Sequence, residues 1–391
     1  MPKRPRPDAL DFLGINGLLG DDERALRAGV SSYVRDRIAP EIDKWFEAAH
    51  FPAEVVAELG SMGLLGMHLS GYGCAGRTAV EYGLACLELE AGDSGLRSLV
   101  SVQGSLAMWP IWSYGSEEQK RHWLPSMATG ETVGCFGLTE PDSGSDPSSM
   151  RTTATRAGEG WILNGHKRWS TNGGIAKVAV VWARTEDGVR GFLVPRGTPG
   201  FTVRAIEHKL SLRASVSSEL LFEDCKLGPE SLLPGVVGMG GPLSCLNEAR
   251  FGIVWGAMGA ARACFECALE HSKSRLQFGK PIGAFQLTQA KLVDMLVELD
   301  KGMLLALHLG RLKDNGELAP EQVSLGKLNN VREALRIARA ARTILGADGI
   351  TLEYPVIRHM NNLESVLTYE GTSEIHTLIV GEAITGLRAF S

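Results

Sequence analysis

Glu370 stands in LTYEGTSEIH, residues 367–376, between Tyr369 and the pair Gly371 and Thr372. Two readings of the stretch are open. In the structural one, Thr372 or Ser373 caps a helix whose apolar positions are Ile375, Leu378, Ile379 and Ile384. Glu370 falls outside that cap. In the chemical one, a carboxylate held by the turn just upstream of a helix N-terminus, and not committed to the helix surface, acts as a base.

Two further stretches carry residue types suited to holding a ligand. GCFGLTEPDSGSDPSSM, residues 134–150, has the crowding of Gly, Ser, Thr, Asp and Pro expected of a long surface loop. Within it Phe136 and Leu138 alternate into Thr139, and the small residues Ser143, Gly144 and Ser145 follow. Such a loop can lay apolar side chains on a flat ring while hydroxyls and exposed amides meet carbonyl or phosphate oxygens. HKRWSTNGG, residues 166–174, puts Trp169 two residues before Thr171 at the end of a strand-like run. An isolated Trp by itself also fits a core or its rim.

The elements that must position these residues change period twice. From Asp21 to Gly130 the spacing is helical: Ala53, Val56, Ala57 and Leu59 lead into the Gly-rich SMGLLGMHLSGYGCAG. AVEYGLACLELEAGDSG then resumes the helical pattern and is expected to stop at Gly92 and Gly95. From Val133 to Leu233 the period is two, punctuated by Asn-Gly and Asp-Gly turn signals, and the Asp187-Gly188 step predicts a hairpin. From Gly241 the period returns to 3.6, as in Leu292, Met295, Leu296, Leu299, Met303 and Leu307, and again in Leu328, Val331, Leu335 and Ala338. Pro320 opens the second of these helices. The expected fold is α+β: an N-terminal helical domain (1–131), a small middle β-barrel or sandwich domain (132–240) and a C-terminal four-helix bundle (241–391).

A chain of 391 residues exceeds what one core usually supports, so two or three compact units are expected. Hydrophobic residues at 44% and charged residues at 22% are ordinary for a globular protein and argue against disordered and fibrous classes. Net charge is -5 and the longest basic run is Lys3, Arg4 and Arg6, which gives no footprint for nucleic acid or anionic membrane. An anionic ligand must then be met by local Arg, Lys and backbone amides. With no apolar signal region in the first twenty residues and no membrane-length apolar run, the expectation is a cytoplasmic protein. The seven cysteines are scattered, and Cys264 and Cys267 form one C-x-x-C with no second pair at zinc spacing, so buried thiols are expected and no metal site.

GCFGLTEPDSGSD, KRWSTN, RLQFGKPIGAFQ and YEGTSEIH occur in the order and at the separations of the acyl-CoA dehydrogenase family, and the chain resembles that family from residue 15 to its end. Within it, DSGLRSLVSVQGSLAMWPIWSYGSEEQ, LSLRAS, CLNEARFGIVWG and LHLGRLKDNGELAPEQVSLGKLNN resemble the glutaryl-CoA dehydrogenase subfamily.

The resemblance implies an FAD enzyme. Phe136, Leu138, Thr139, Trp169 and Thr171 match residues flanking the isoalloxazine ring, Gly144 lies in the same loop, and Ser145 matches a residue serving phosphate; Thr372 belongs to the same cofactor set. Arg275, Phe278, Gln286 and Gly346 match residues that hold the FAD of a neighbouring subunit, so a homo-oligomer, in this family usually a tetramer, is implied. Glu370 matches the catalytic base, whose backbone amide, with a flavin hydroxyl, holds the developing enolate oxygen. Burial between substrate and flavin is expected to raise its pKa toward the working pH. Where some members carry the base on another helix this chain has Ala249, and Arg250 beside it matches a residue near CoA, or is a helix-end charge.

The substrate is implied by Arg97, which with Ser98 matches the residues receiving a distal carboxylate; a planar guanidinium suits a carboxylate through two hydrogen bonds. A lone Arg after EAGDSG is otherwise a solvated helix-end charge. Glu90 and Tyr369 match the same subsite, and Ser145 is also assigned toward substrate. The implied partners are an acyl-CoA and an electron-transfer flavoprotein. Ser170, where the family usually has Ile, and Ala347, where it commonly has Gly, depart from the pattern without removing a reacting group. Decarboxylation to crotonyl-CoA and a stop at glutaconyl-CoA stay open, as do a dehydrogenase of an uncharged short or branched acyl thioester and a non-catalytic flavin or acyl-CoA binding protein.

Overall fold

The computed structural model of the protein describes residues 7–389, and Lys3, Arg4 and Arg6 lie outside them. In chain order the first helices are α1 (Asp21–Tyr33), α2 (Ile42–Ala48) and α3 (Glu54–Ser61). A two-stranded hairpin, β1 (Ser70–Gly71) and β2 (Cys74–Ala75), precedes α4 (Ala79–Gly92), α5 (Ser94–Ser101), a π-helical segment (Val102–Met108), α6 (Trp109–Tyr114) and α7 (Glu117–Ala128). Seven strands follow: β3 (Gly134–Gly137), β4 (Thr153–Ala157), β5 (Gly160–Thr171), β6 (Val178–Thr185), β7 (Gly188–Pro195), β8 (Phe201–Ala205) and β9 (Ser217–Leu227). The chain then runs through α8 (Gly240–Ser274), the hairpin β10 (Leu276–Gln277) and β11 (Lys280–Pro281), α9 (Gln286–Asp314), α10 (Pro320–Leu345), α11 (Pro355–Thr368) and α12 (Ser373–Thr385). Helices, strands and helices thus succeed one another as the periodicity expects.

Two compact units divide these elements. One takes the chain through Glu47, Ala79–Arg97 and everything from Phe251; the other takes Ala48–Thr78 and Ser98–Arg250. The helices expected within residues 1–131 are therefore shared between the two.

In the second unit the sheet order is β3-β6-β4-β5-β9-β8, with β7 paired to β6. β3 and β6 run parallel, and the pairs β4/β5, β5/β9, β6/β7 and β8/β9 are antiparallel. β6 is buried on both faces. Val178, Val180 and Trp182 join a core with Ala107, Ile111, Leu124 and Met127 of the helical side. Their alternates Ala179, Val181 and Ala183 join Trp161, Leu163, Phe192 and Phe222 on the other. This is the burial that draws α6 and α7 to the sheet.

Two turn signals resolve differently from expectation. The hairpin joins β6 to β7, but Thr185 already pairs with Gly188, so its loop is Glu186 and Asp187. Asn164-Gly165 is no turn: it sits inside β5 at a register shift against β9. Gly165 has φ +155°, and a Cβ there would lie 2.3 Å from Thr152 Oγ1, so the glycine answers a close approach.

In the first unit α10 packs on α9, α11 and α12, and α4 on α1 and α9. α8 closes against them at glycines: a Cβ on Gly259 would meet Leu87 O at 1.9 Å, and one on Gly302 would meet Met258 Sδ at 2.2 Å. The buried Asn330 amide donates to Val254 O (2.8 Å) and Gly302 O (3.0 Å), tying α10 to α8 and α9. Pro320 occupies the first turn of α10 as expected.

All seven cysteines are free thiols; burial pushes Cys267 to about 11 and Cys264 higher still. Among the described residues no group of His, Cys, Asp and Glu could hold a metal ion, and no helix is long and apolar enough to cross a membrane.

Candidate active site

Glu370 lies in the four-residue link between α11 and α12, half-buried, with φ +55°. A non-glycine residue in that left-handed region costs on the order of 1 kcal/mol, so its surroundings must hold it there. They do so from both sides. Thr372 is the residue that caps α12, its hydroxyl accepting from Ile375 N at 3.3 Å. From α10, Lys327 Nζ donates to Tyr369 O and Gly371 O, each at 2.6 Å. Glu370 is thus outside the cap and fixed by the turn, as the second sequence reading requires.

Arg97 is 0% exposed and lies inside α5. The expectation that the preceding helix ends at Gly95, leaving Arg97 as a solvated charge, is corrected by Asp93. Its carboxylate accepts from Gly95 N (2.7 Å), the bond of an N-cap, so a new helix starts there. The other carboxylate oxygen accepts from Arg358 Nη1 (2.8 Å) and Asn362 Nδ2 (2.9 Å), which joins this helix start to α11.

The Arg97 guanidinium donates from Nε to Glu90 Oε2 at 2.6 Å and from Nη2 to the Tyr369 hydroxyl. Its carbon stands 5.7 Å from the centre of the Tyr369 ring. Burial works against its charge, but the Glu90 carboxylate, then Tyr369 and Glu370, more than offset that and raise its pKa well above the ordinary value. Nε and one Nη2 hydrogen are committed, and among the described residues no hydrogen bond is made by the Nη1 amino group, which is left to a further acceptor. Glu90 is itself fully buried, and among the described residues its Oε1 accepts no hydrogen bond. Gly256 makes room for it, since a Cβ there would lie 2.0 Å from Glu90 Oε2. The structure therefore brings Glu90, Arg97, Tyr369, Glu370 and Lys327 together. Sequence reasoning missed Lys327, because nothing local to α10 marks a lysine whose acceptors lie more than forty residues on.

The sheet unit holds the loops expected to meet a flat ring. Phe136 is half-buried in β3, Leu138 is buried in the core beside Met150, and Thr139 O accepts from Arg168 N at 2.8 Å. Gly144 and Ser145 are exposed. The loop is anchored by Glu140, whose carboxylate accepts from Arg151 N (2.6 Å), Thr152 N (2.9 Å) and Lys167 Nζ (2.8 Å). Burial alone would raise the Glu140 pKa, but Lys167 and the two amides bring it to about 2; burial brings Lys167 to about 8 against the pull of Glu140. Neither residue was singled out from sequence.

A second register shift in β5, between Lys167 and Ser170, turns Trp169 outward at φ +62° with 54% of its surface exposed. Thr171 ends the strand, half-buried. Around them Ser170 Oγ and Asn172 Nδ2 are buried and have no hydrogen-bond partner among the described residues. An exposed flat indole with unsatisfied donors beside it fits a flat ring system with polar edges.

The remaining expected residues are placed as follows. Ser98 is buried, and Arg250 is a buried residue inside α8 donating to Asn247 Oδ1 at 3.2 Å, which corrects the helix-end alternative. Arg275 is exposed between α8 and β10, and Phe278 on the β10–β11 turn is 93% exposed; Gln286 starts α9, and Gly346 ends α10 at φ +65°.

Family models for the N-terminal, middle and C-terminal domains of acyl-CoA dehydrogenase match residues 20–131, 135–225 and 237–385. The human mitochondrial short-chain specific acyl-CoA dehydrogenase is 38% identical over 88% of this chain and 84% of its own. The crystal structure of glutaryl-CoA dehydrogenase from Mycobacterium smegmatis is 66% identical, with a TM-score of 0.97 over 99% of this chain and 100% of that one. A second structure of a glutaryl-CoA dehydrogenase from that organism, in complex with FADH2, is 60% identical, with a TM-score of 0.97 over 98% and 100% of the two chains.

Proposed function

The chain belongs to the acyl-CoA dehydrogenase family, and from that premise we propose that it oxidises glutaryl-CoA between its α and β carbons with FAD as cofactor. The observation that carries the substrate is Arg97: a fully buried guanidinium, kept charged by Glu90, with an amino group left over for a carboxylate. An uncharged acyl chain gives no return for burying that charge.

Phe136, Leu138, Thr139, Gly144, Ser145, Trp169, Thr171 and Thr372 are the residues proposed to hold FAD, and the exposed Trp169 with its unsatisfied neighbours supports that assignment. When bound, FAD supplies a two-electron acceptor for the hydrogen leaving the β-carbon. Glu370 removes the α-proton. Its backbone N–H, aimed by the turn, meets the thioester oxygen as negative charge develops there, without which a carboxylate is too weak a base for this proton. Arg97, assisted by Ser98 and Tyr369, fixes the distal carboxylate and so the register of the α-carbon at Glu370. Once the α,β double bond is formed, the distal carboxylate is vinylogous to the thioester and can leave as CO2, its bonding electrons passing into a dienolate; return of the proton held by Glu370 to the γ-carbon gives crotonyl-CoA. Arg250 is assigned to the CoA end, and an electron-transfer flavoprotein to reoxidation.

The proposed assembly is a homo-oligomer, a tetramer on the family pattern, with Arg275, Phe278, Gln286 and Gly346 serving a neighbour's FAD. Exposed apolar residues on the β10–β11 hairpin and α9, including Phe278, Leu276, Leu287, Val293 and Val297, support self-association.

The second reading is a dehydrogenase of an uncharged short acyl-CoA, favoured by the similarity to the human short-chain enzyme. Arg97→Gln separates the two. On the glutaryl-CoA reading, loss of two charged hydrogen bonds lowers kcat/KM for glutaryl-CoA by about 100-fold or more and for butyryl-CoA by less than about tenfold. On the short-chain reading both fall alike.

A further inference from the structure

Lys327 is 2% exposed, and its ammonium donates to two backbone carbonyls, Tyr369 O and Gly371 O. The first belongs to the peptide group whose N–H is that of Glu370. In a trans peptide the C=O and N–H point in opposite directions, so whatever fixes Tyr369 O fixes the direction of the Glu370 N–H. A cation on that oxygen also draws electron density through the peptide and strengthens the N–H as a donor. The second contact, at Gly371 O, holds the far side of Glu370 and keeps that residue at φ +55°.

We propose that Lys327 is a positioning residue for the thioester carbonyl: acting through the Tyr369–Glu370 peptide, it aims and strengthens the N–H that receives the developing enolate oxygen. This rests on the reading above that the Glu370 amide meets that oxygen. In this role Lys327 acts one peptide away from the acyl group, through Tyr369 O.

The test uses the Glu370→Gln holoenzyme, which keeps the backbone donor and lacks the base. It is mixed with glutaryl-CoA carrying 13C at the thioester carbonyl, and the C=O stretch is read by difference infrared spectroscopy. The carbonyl is expected at lower frequency than in free glutaryl-CoA. Adding Lys327→Met is expected to remove about half or more of that shift while the thioester still binds. No shift in Glu370→Gln itself overturns the amide's proposed role. A full shift retained after Lys327→Met, with thioester bound, overturns the Lys327 proposal alone and leaves a plain turn clamp. Lys327→Gln is carried alongside as the variant that keeps N–H donors and loses the charge, and it too is expected to lose part of the shift; a full shift there overturns the polarising half. With Glu370 intact, Lys327→Met is expected to lower kcat about 10- to 100-fold with KM changed less than about threefold. A loss confined to KM contradicts the proposal.

Discussion

Arg97 Nε binds Glu90 Oε2, and a Cβ on Gly256 would lie 2.0 Å from that same oxygen and 3.2 Å from Arg97 Nε. That crowding makes a prediction at one atom. Gly256→Ala places a methyl group on the Glu90 carboxylate, and the pair must shift; a stability loss of about 1–3 kcal/mol is expected by urea unfolding, together with loss of preference for glutaryl-CoA over butyryl-CoA. An alanine variant with both stability and preference intact would show that the pair is not held in this way. At this scale the sequence was informative where a motif carried the residue, as with Glu370, Arg97 and Tyr369. It misread the surroundings of Arg97, because EAGDSG looks like a helix stop when Asp93 is not known to cap the next helix and to pair with Arg358. Lys327 and Glu140 were invisible because their partners come from other elements.

Elements in this fold are tied by carboxylates held far below their ordinary pKa. Glu88 of α4 receives Arg262 of α8 in two bonds of 2.6 Å and Arg27 of α1 at 2.8 Å. Burial would raise its pKa, but these guanidiniums bring it to about 2, as Lys167 and two amides do for Glu140. Both are lowered groups, so their stabilisation is fully present above the unfolded value of 4.5 and is lost as pH falls from there toward 2. The urea midpoint is therefore expected to drop steeply between pH 5 and pH 3. Glu88→Gln should lower the unfolding free energy by about 3–5 kcal/mol at neutral pH, by stranding two arginines, and flatten the acid dependence. An unchanged slope in that variant would remove Glu88 from the account. The helices and the strand period were legible because each shows one face or two faces to a core. Asn164-Gly165 was not, because a bulge and a turn ask for the same residues and only the pairing of β5 with β9 distinguishes them.

On the scale of the whole molecule, the sequence order of helices, strands and helices is that of the fold, while compaction gathers α1 and α4 with the C-terminal helices and α6 and α7 with the sheet. Order along the chain is written in periodicity; which core a helix joins depends on the partner its apolar face meets. The face that carries Phe278 and Leu287, 93% and 80% exposed, belongs to the same level. Phe278→Asp with Leu287→Asp is expected to shift the protein to smaller species in light scattering and to weaken FAD retention on gel filtration; an unchanged assembly would place the subunit contact elsewhere. The central claim is that Glu370 and Arg97 act on one substrate, glutaryl-CoA. Anaerobic mixing of the FAD-loaded enzyme with glutaryl-CoA, followed by flavin absorbance and by mass analysis of the thioester, tests it most directly. Bleaching of the oxidised flavin band at roughly 450 nm and conversion to crotonyl-CoA with release of CO2 are expected. A flavin that stays yellow with intact glutaryl-CoA, while butyryl-CoA bleaches it, would contradict the account.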